Sequence, residues 1–251
     1  MSIEVGGSKL KFMSRILNPN EKEIVSRITH PFPAQLQLVL QSLARMHREH
    51  MAIGQWEGQS LAGFVSMLQP KKLVEVGTLA GGSALWFVSQ LKSGSIFYTL
   101  EKDPGCVSES TQVLSSLPQA RFSFSAVSEG SPLPLFHPSD RVQIILVAGE
   151  ANQRLVELES QAPFDLVFLD GAKGDYPAHA LWAQENLREG GLLLADNVML
   201  GGEIFTDQKS LYSAAQKKAM LEFHQIIWNS KNFMTTIIPF LEGLSWSIRK
   251  N

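Results

Sequence analysis

The fold is decided by one stretch of the chain, FDLVFLDGAK at residues 164–173 followed by GGLLLADN at residues 190–197. It contains two short apolar runs, residues 166–169 and 192–195, and each run ends at a carboxylate, Asp170 or Asp196. Short, unbroken apolar runs are typical of strands that are covered on both faces, as in a parallel sheet. We therefore predict two buried parallel strands here.

The segment between these runs is predicted to be a connecting helix over residues 178–187, with Gly190 and Gly191 as its stop signal. Strand, helix and strand then form one βαβ unit, whose right-handed crossover makes the two strands parallel. Both carboxylates should consequently emerge at the carboxyl edge of the sheet, where open α/β sheets bind their ligands.

Three neighbouring oxygen-bearing side chains are predicted at this edge: Asp170, Asp196 and Asn197, which directly follows Asp196. Carboxylate and amide oxygens suit a hard divalent cation such as magnesium, which takes about six oxygen ligands. The remaining positions would be open to two adjacent oxygens of a substrate and to water. The alternative is that the two aspartates are ordinary strand-end residues that cap helices. Asn197 and Lys173, one turn beyond Asp170, favour the cation site.

A second ligand-binding pattern lies earlier in the chain. A predicted strand at residues 73–77 runs into a glycine-containing turn at residues 78–83 and a helix at residues 84–91, and the next predicted strand ends at Glu101. This arrangement can hold a nucleotide-like ligand, with the helix amino terminus favouring an anionic group and Glu101 available to ribose hydroxyls. The glycine spacing is not G-x-G-x-x-G and no Walker lysine is present, which disfavours a dinucleotide or a triphosphate. The alternative is a tight structural turn.

The composition indicates a soluble globular protein, since 44% of the 251 residues are hydrophobic and the formal net charge is −2. This balance disfavours both disorder and a nucleic-acid-coating role. No apolar run approaches the roughly 18 residues of a membrane helix, and the amino terminus lacks the apolar core of a secretion signal. Cys106 is the only cysteine, so there is no internal disulfide. We expect a cytoplasmic protein that binds neither nucleic acid nor a membrane.

The length favours a single compact domain. We assign residues 51–251 to this domain and residues 1–50 to an N-terminal helical cap segment, with helices at residues 21–28 and 35–48. Residues 118–140 contain four prolines and are interpreted as a long loop with a short strand at residues 121–126. Because a strand follows this loop, we expect it at the amino edge of the sheet, away from the chemistry.

Taken together, the motifs resemble the class I, S-adenosylmethionine-dependent, cation-dependent O-methyltransferases of the caffeoyl-CoA and catechol type. The likeness covers roughly residues 35–250. Its carriers are short motifs in the family's order: Glu57-Gly58-Gln59, Glu75 with Gly77, Gly81 and Ser83, Glu101, Gly149 to Ala151, Asp170 with Lys173 and Tyr176, Gly190-Gly191, Asp196-Asn197, and Pro239 with Gly243. No single motif is specific, but their joint order is hard to explain otherwise.

The resemblance implies a doubly wound, Rossmann-like α/β fold with helices on both faces of a seven-stranded, mostly parallel sheet, the last strand being antiparallel. It also implies a homodimer and a binding site for S-adenosylmethionine. The implied contacts to this methyl donor come from Ile53 through its backbone, from Glu75, Gly77 and Ser83 at the methionine part, from Glu101 at the ribose, from Ala151 at the adenine, and from Asp170.

For the chemistry, the resemblance implies a cation held by Asp170, Asp196 and Asn197, with magnesium expected and calcium or manganese as alternatives. It implies Lys173 as the residue that removes the proton. The predicted function is methyl transfer to one hydroxyl of a vicinal-dihydroxy, catechol-like aromatic small molecule. A phenol with a pKa of about 10 is mostly protonated at neutral pH, and a cation bound to both oxygens would favour the anion. The alternative for Lys173 is a surface lysine paired with Asp175.

The chain also departs from the family pattern. Residues 199–202, MLGG, stand where the family has an aromatic, Gly171-Ala172 replace more polar or aromatic neighbours, and the 118–140 segment is longer. A CoA thioester is therefore not implied as the acceptor. Two rival functions stay open: a methyltransferase of a nitrogen or non-catechol hydroxyl with a vestigial metal site, and a non-catalytic protein that binds S-adenosylmethionine. A nicotinamide dehydrogenase is disfavoured by the missing fingerprint.

Overall fold

The computed structural model of the chain describes residues 2–5, 8–11, 35–135, 137, 139–205, 211–229, 231–239 and 242–251. The predicted helix at residues 21–28 lies outside the described residues. Seven α-helices are found in the described part of the chain: α1 Leu36–Arg45, α2 Gln55–Leu68, α3 Gly82–Gln90, α4 Pro104–Ser115, α5 Ala151–Leu158, α6 Tyr176–Asn186 and α7 Ala214–Asn229. Short 3-10 turns occupy Glu49–Met51, Glu159–Gln161, Lys173–Asp175 and Leu200–Phe205.

Ten strands are found in the same residues: β1 Ser2–Val5, β2 Ser8–Lys11, β3 Lys72–Val76, β4 Ile96–Glu101, β5 Phe122–Val127, β6 Val142–Ala148, β7 Phe164–Leu169, β8 Leu187–Ala195, β9 Phe233–Ile238 and β10 Leu244–Arg249. Strands β1 and β2 form a separate antiparallel pair. The other eight form one sheet in the order β5-β6-β4-β3-β7-β8-β10-β9. Only β10 runs against its neighbours β8 and β9.

The predicted fold class is confirmed: the sheet is mostly parallel, its final strand is antiparallel, and helices cover both faces. The sheet has eight strands instead of the expected seven. The additional strand is β5, which pairs in parallel with β6 at one edge of the sheet. It comes from the long 118–140 segment, where the sequence predicted a short strand inside a loop.

The hydrophobic core lies on both sides of the sheet, because the central strands are buried on both faces. One side packs against α1 to α4, with Val39, Leu61, Leu85 and Val113 among the buried residues. The other side packs against α5 to α7, with buried residues from each of these helices. Helix α1, from the segment assigned as an N-terminal cap, contributes Val39 and Leu43 to this core.

Two local predictions differ from the structure. Helix α6 ends at Asn186, so Gly190 and Gly191 do not stop it and instead lie within β8. They fall where the pairing between β7 and β8 shifts register, and Gly190 has a φ of 69°, a conformation that favours glycine. The 118–140 loop was expected at the amino edge, but its part after β5 leaves the carboxyl end of β5 and reaches the amino edge only before β6, where the His137 carbonyl accepts from Gln143 at 2.7 Å. Along this path the Pro134 carbonyl accepts a hydrogen bond from Tyr98 at 3.2 Å.

Candidate active site

The carboxyl edge of the sheet is tied together by backbone hydrogen bonds between neighbouring strands. Three residues that follow a strand each donate a backbone N–H to a carbonyl near the carboxyl end of a neighbouring strand: Gly77 to Leu100, Asp170 to Val76, and Asp196 to Leu169, all at 2.9 Å. These bonds hold the turns after β3, β7 and β8 side by side. Aspartates that are 26 positions apart in the chain therefore open into the same space.

That space is a cavity of about 1020 Å³ at the carboxyl edge. It brings together nearly all residues that the sequence proposed for ligand binding, namely Ile53, Gly77, Ser83, Glu101, Ala151, Asp170, Lys173, Asp196 and Asn197. Glu75 is the exception, because its side chain is fully buried behind the cavity wall. The structure thus assembles the predicted site, and the roles of the individual residues stay predictions.

Gly77 makes the close approach between the two halves of the site. Its φ is 97°, and a Cβ atom at this position would lie 2.5 Å from the backbone oxygen of Asp170. An L-residue would therefore be strained in φ and would also push against the backbone that carries Asp170. Gly77 begins the turn after β3, and because it has no side chain it leaves room for the backbone of Asp170 at the end of β7.

Glu75 lies on β3 and accepts two hydrogen bonds, from the Ser83 hydroxyl and the Thr99 hydroxyl, each at 2.5 Å. Complete burial raises the pKa of its carboxyl to about 8, although both hydrogen bonds act in the opposite direction. Ser83 lines the cavity at the start of α3. Its hydrogen bond to the buried Glu75 carboxyl fixes the orientation of the Ser83 hydroxyl.

We expect Glu75→Gln to change how stability depends on pH. Because the folded-state pKa exceeds the ordinary value of 4.5, the folded chain holds this proton up to about pH 8. Its contribution to stability is full below pH 4.5 and is lost as the pH rises to 8. Glutamine cannot ionise, so the variant should lose less stability than the wild type over this interval, by up to about 1.4 kcal/mol per pH unit. Denaturant unfolding of the ligand-free protein at several pH values measures this, and parallel curves would contradict it.

Glu101 ends β4, and its carboxylate is held by four backbone N–H groups. One oxygen accepts from Thr78 at 3.2 Å and from Leu79 at 2.8 Å. The other accepts from Lys102 and Asp103, each at 2.9 Å. A carboxylate has about four lone-pair sites, so ribose hydroxyls would have to share them with the backbone. The carboxylate also locks the glycine-containing turn after β3 onto the end of β4.

The remaining donor-side residues lie around this turn. Ile53 precedes α2 and packs beside Gly82. A Cβ atom on Gly82 would lie 3.2 Å from Cγ2 of Ile53. Ala151 is the first residue of α5 and also lines the cavity. The two residues therefore reach the cavity from different elements.

Lys173 is enclosed by the aspartate edge. Its ammonium group donates to Asp170 at 3.2 Å and to the Tyr176 hydroxyl at 2.7 Å, and it lies 4.7 Å from the Tyr176 ring centroid. Its side chain is only 11% exposed. The alternative of a surface lysine paired with Asp175 is wrong, since Asp175 instead accepts a hydrogen bond from Asn152. Tyr176 is itself held by the Leu169 and Asp196 carbonyls, each at 2.9 Å from its hydroxyl.

Neither aspartate caps a helix among the described residues, because α6 has Asp175 at its N-cap and the Asp196 carboxylate accepts from the N–H of Asn197 at 2.7 Å. Burial at the floor of the cavity raises the pKa of Asp170. Burial also raises the pKa of Asp196, and the charge of Asp170 adds to this effect. Ionisation of both carboxyls at this floor is therefore costly unless further positive charge is present.

Sequence reasoning assigned no role to two further acidic residues of the cavity, Glu57 and Glu242. Glu57 caps α2 by accepting from the N–H of Gly54 at 2.9 Å, and burial raises its pKa, with Asp170 and Glu242 contributing. Glu242 accepts from the Tyr212 hydroxyl at 2.7 Å. The Glu57-Gly58-Gln59 motif was a usable signal for the first. No signal marked Glu242, which reaches the site only because β10 pairs with β8.

The turn between β9 and β10 also holds the segment that follows Asn197. The N–H of Val198 donates to Gly243 at 3.0 Å, and that of Met199 donates to Glu242 at 2.8 Å. Asn197 has a φ of 58°, a left-handed conformation that asparagine tolerates better than most residues. A Cβ atom on Gly243 would lie 2.5 Å from Cγ of Met199, so this contact requires glycine. The final hairpin thus fixes the wall beside the aspartates.

Two negative findings concern the described part of the chain. No three histidine, cysteine, aspartate or glutamate side chains there are grouped so that they could hold a metal ion on their own. This leaves open the predicted set of two carboxylates and one amide. No helix in the described residues has the length and apolar character to cross a membrane.

Comparison with known proteins agrees with this geometry. A family model described as O-methyltransferase matches residues 139–250. A catechol O-methyltransferase of Niastella koreensis is 28% identical over 177 residues, which are 70% of this chain and 70% of the relative. A putative O-methyltransferase from Klebsiella pneumoniae has a TM-score of 0.74 at 23% identity, over 92% of this chain and 96% of that one. An O-methyltransferase from Bacillus cereus, solved in complex with SAH, has a TM-score of 0.72 at 22% identity, over 91% and 96%.

The resemblance stated from the sequence is therefore confirmed: the chain is similar to the O-methyltransferases, and the residues that the family model matches include both aspartates. The predicted class of enzyme, an O-methyltransferase, is confirmed with it. The solved structures establish the Rossmann-like fold.

Proposed function

We propose that the protein transfers a methyl group from S-adenosylmethionine to one hydroxyl of a vicinal-dihydroxy aromatic compound, with the assistance of a divalent cation. The observation that carries this proposal is the alignment of three sheet ends around one cavity. Asp170 and Asp196 follow adjacent strands, Lys173 lies 3.2 Å from Asp170, and the turn after β3 borders the same space. An O-methyltransferase named for catechol among the relatives supports the acceptor class.

The residues present fit a hard divalent cation. Asp170, Asp196 and Asn197 offer only oxygen donors, and Glu57 and Glu242 add negative charge to the same cavity. Among the described cavity residues, Lys173 is the ammonium group that contacts this aspartate edge, so the acidic groups outnumber it. Bound there, a cation would supply charge stabilisation for a deprotonated hydroxyl and hold it near the donor. Asn197 is kept in place by the backbone bonds of the segment that follows it.

The donor fits the other half of the cavity. The turn after β3 exposes Gly77 and Ser83, and α3 begins at Gly82 and directs its amino terminus towards this space. A helix amino terminus favours a carboxylate, such as that of the methionine part of the donor. Ala151 at the far end leaves room for a flat base. When bound, the donor would supply an activated methyl group on its sulfur.

Lys173 is placed to handle the proton of the acceptor hydroxyl. Its nitrogen lies at the aspartate edge and is positioned by the Tyr176 hydroxyl, which two backbone carbonyls hold in turn. In its neutral form the amine could take the proton from a hydroxyl bound beside Asp170. The small exposed fraction of its side chain limits competing exchange with water.

One assay tests the proposal as a whole. We expect label transfer from methyl-labelled S-adenosylmethionine to at least one member of a panel of catechols, and no transfer to the matching monohydroxy compounds. EDTA should lower the rate on the order of 100-fold or more, and excess magnesium should restore it. Full turnover in EDTA would contradict the role of the cation.

A specific observation favours a second candidate. Lys173 already pairs with Asp170, so the site has an internal cation that could partly replace a metal. A methyltransferase of a nitrogen or a non-catechol hydroxyl, with a vestigial metal site, would show turnover that is insensitive to EDTA. The same panel, extended to amines, therefore separates the two candidates.

A further inference from the structure

One wall of the cavity is formed by the α1–α2 segment, residues 46–54, which connects the first two helices. Arg48 and Ile53 of this segment both border the cavity. Ile53 also packs beside Gly82 at the start of α3. The α1–α2 segment therefore lies next to the turn after β3 and forms a second wall for a ligand that is held at this turn.

Arg48 attaches this segment to the chain that follows β4. Its guanidinium donates to the Asp103 carboxylate at 2.9 Å, and its other terminal nitrogen lies 2.8 Å from the Cys106 sulfur. The second oxygen of the Asp103 carboxylate caps α4, because it accepts from the N–H groups of Gly105 and Cys106. One aspartate thus holds both the start of α4 and the α1–α2 segment.

Asp103 also connects this contact to Glu101. The N–H of Asp103 donates to the Glu101 carboxylate at 2.9 Å, and the same carboxylate accepts from Thr78 and Leu79 in the turn after β3. A continuous chain of polar contacts therefore runs from Arg48 through Asp103 to that turn. The two walls of this part of the cavity are joined by it.

A second arginine pairs with α4 at a distance from the ligand space. Arg45, the last residue of α1, donates to both carboxylate oxygens of Glu109, at 3.2 and 2.5 Å. Neither residue of this pair is found in the described lining of the cavity. Arg45 therefore docks α1 on α4, whereas Arg48 holds the part of the chain that forms the cavity wall.

We propose that the ion pair of Arg48 and Asp103 is a clasp that holds the α1–α2 segment over the bound methyl donor and slows its release. Arg48 is then a positioning residue that acts through this segment. The inference rests on the proposed function for the identity of the ligand, S-adenosylmethionine or its product. The two side chains are 37% and 40% exposed, so the pair is partly screened by solvent and can open at a modest cost.

The test is the rate at which S-adenosylhomocysteine leaves the protein, measured by diluting a labelled complex into excess unlabelled ligand. We expect Arg48→Met to release the ligand about three- to fivefold faster, the upper part of the range for an exposed ion pair. Asp103→Asn keeps an oxygen for the helix cap but loses the charge, and it should have a similar effect. Arg45→Met is the matched control and should release the ligand at the wild-type rate.

Two further measurements separate a clasp from a general structural role of Arg48. The double variant of Arg48→Met and Asp103→Asn should release the ligand no faster than either single variant, because the two residues act as one pair. Raising KCl to about 0.5 M should accelerate release from the wild type and leave Arg48→Met nearly unchanged. Additive effects of the two substitutions, or equal salt responses of wild type and variant, would overturn the clasp.

Wild-type release from Arg48→Met, or equally fast release from Arg45→Met, would also overturn the clasp while leaving the proposed function intact. A wild-type protein that does not bind S-adenosylhomocysteine would instead overturn the proposed function, and with it this assignment. Thermal unfolding of each ligand-free variant verifies that the fold is retained.

Discussion

Asp196→Ala should abolish methyl transfer, with a fall in turnover on the order of 1,000-fold or more. The aspartate supplies one of two carboxylates at the floor of the cavity, and its removal should release the proposed cation, which would orient the acceptor oxygen and stabilise its negative charge. Asp170→Ala should have the same effect on turnover. The two variants should differ in donor binding, because only Asp170 is predicted to contact S-adenosylmethionine as well.

The measurements are initial rates with saturating magnesium and calorimetric binding of S-adenosylhomocysteine. For Asp196→Ala, we expect donor affinity within about twofold of the wild type, since the turn after β3 does not depend on this side chain. Glu150→Ala is the matched control: it removes a cavity-lining carboxylate that pairs with Lys102 and is not among the predicted ligands. Near-normal turnover in either aspartate variant would refute the cation site.

Lys173→Met should lower turnover by about 10²- to 10⁴-fold, the usual range for the loss of a positioned acid or base. Methionine keeps the length of the side chain but cannot take a proton. Donor affinity should change little, because the amine contacts Asp170 and Tyr176 at the acceptor side. Rapid single-turnover measurements and donor binding together separate these two quantities.

Lys173→Arg distinguishes proton removal from simple charge. Arginine retains the positive charge beside Asp170 but stays protonated, so it should be nearly as inactive as methionine if the amine acts as a base. Substantial rescue by arginine would show that only the charge matters. Equal losses of turnover and donor affinity in Lys173→Met would point to a binding role. Tyr176→Phe, which removes the hydroxyl that positions the amine, should have an intermediate effect.

Much of the site could be predicted because its residues lie in local patterns. An apolar run of four residues that ends in a carboxylate identifies a buried strand and its carboxyl end at once, as at Asp170 and Asp196. Neighbouring parallel strands end at the same edge of a sheet, so the proximity of the two aspartates could be predicted without knowledge of any other contact. Glu101 and the turn after β3 were predictable for the same reason.

Other features depend on contacts between distant parts of the chain. Glu242 enters the cavity only through the register of β10 on β8, and no pattern around residue 242 encodes that pairing. Gly190 and Gly191 were interpreted as a helix end because glycine is favoured just after a helix. Glycine is also favoured at irregular positions in a strand, such as the register shift between β7 and β8 where these two residues lie.

The hydrogen bonds from Val198 and Met199 to Gly243 and Glu242 attach the segment after Asn197 to the end of the chain. The turn after β3 is instead attached to β4, through the Glu101 carboxylate. Under the proposed function, the acceptor half and the donor half of the cavity are thus anchored by different parts of the chain. Substitutions next to Gly243 should therefore alter the choice of acceptor more than the affinity for the donor.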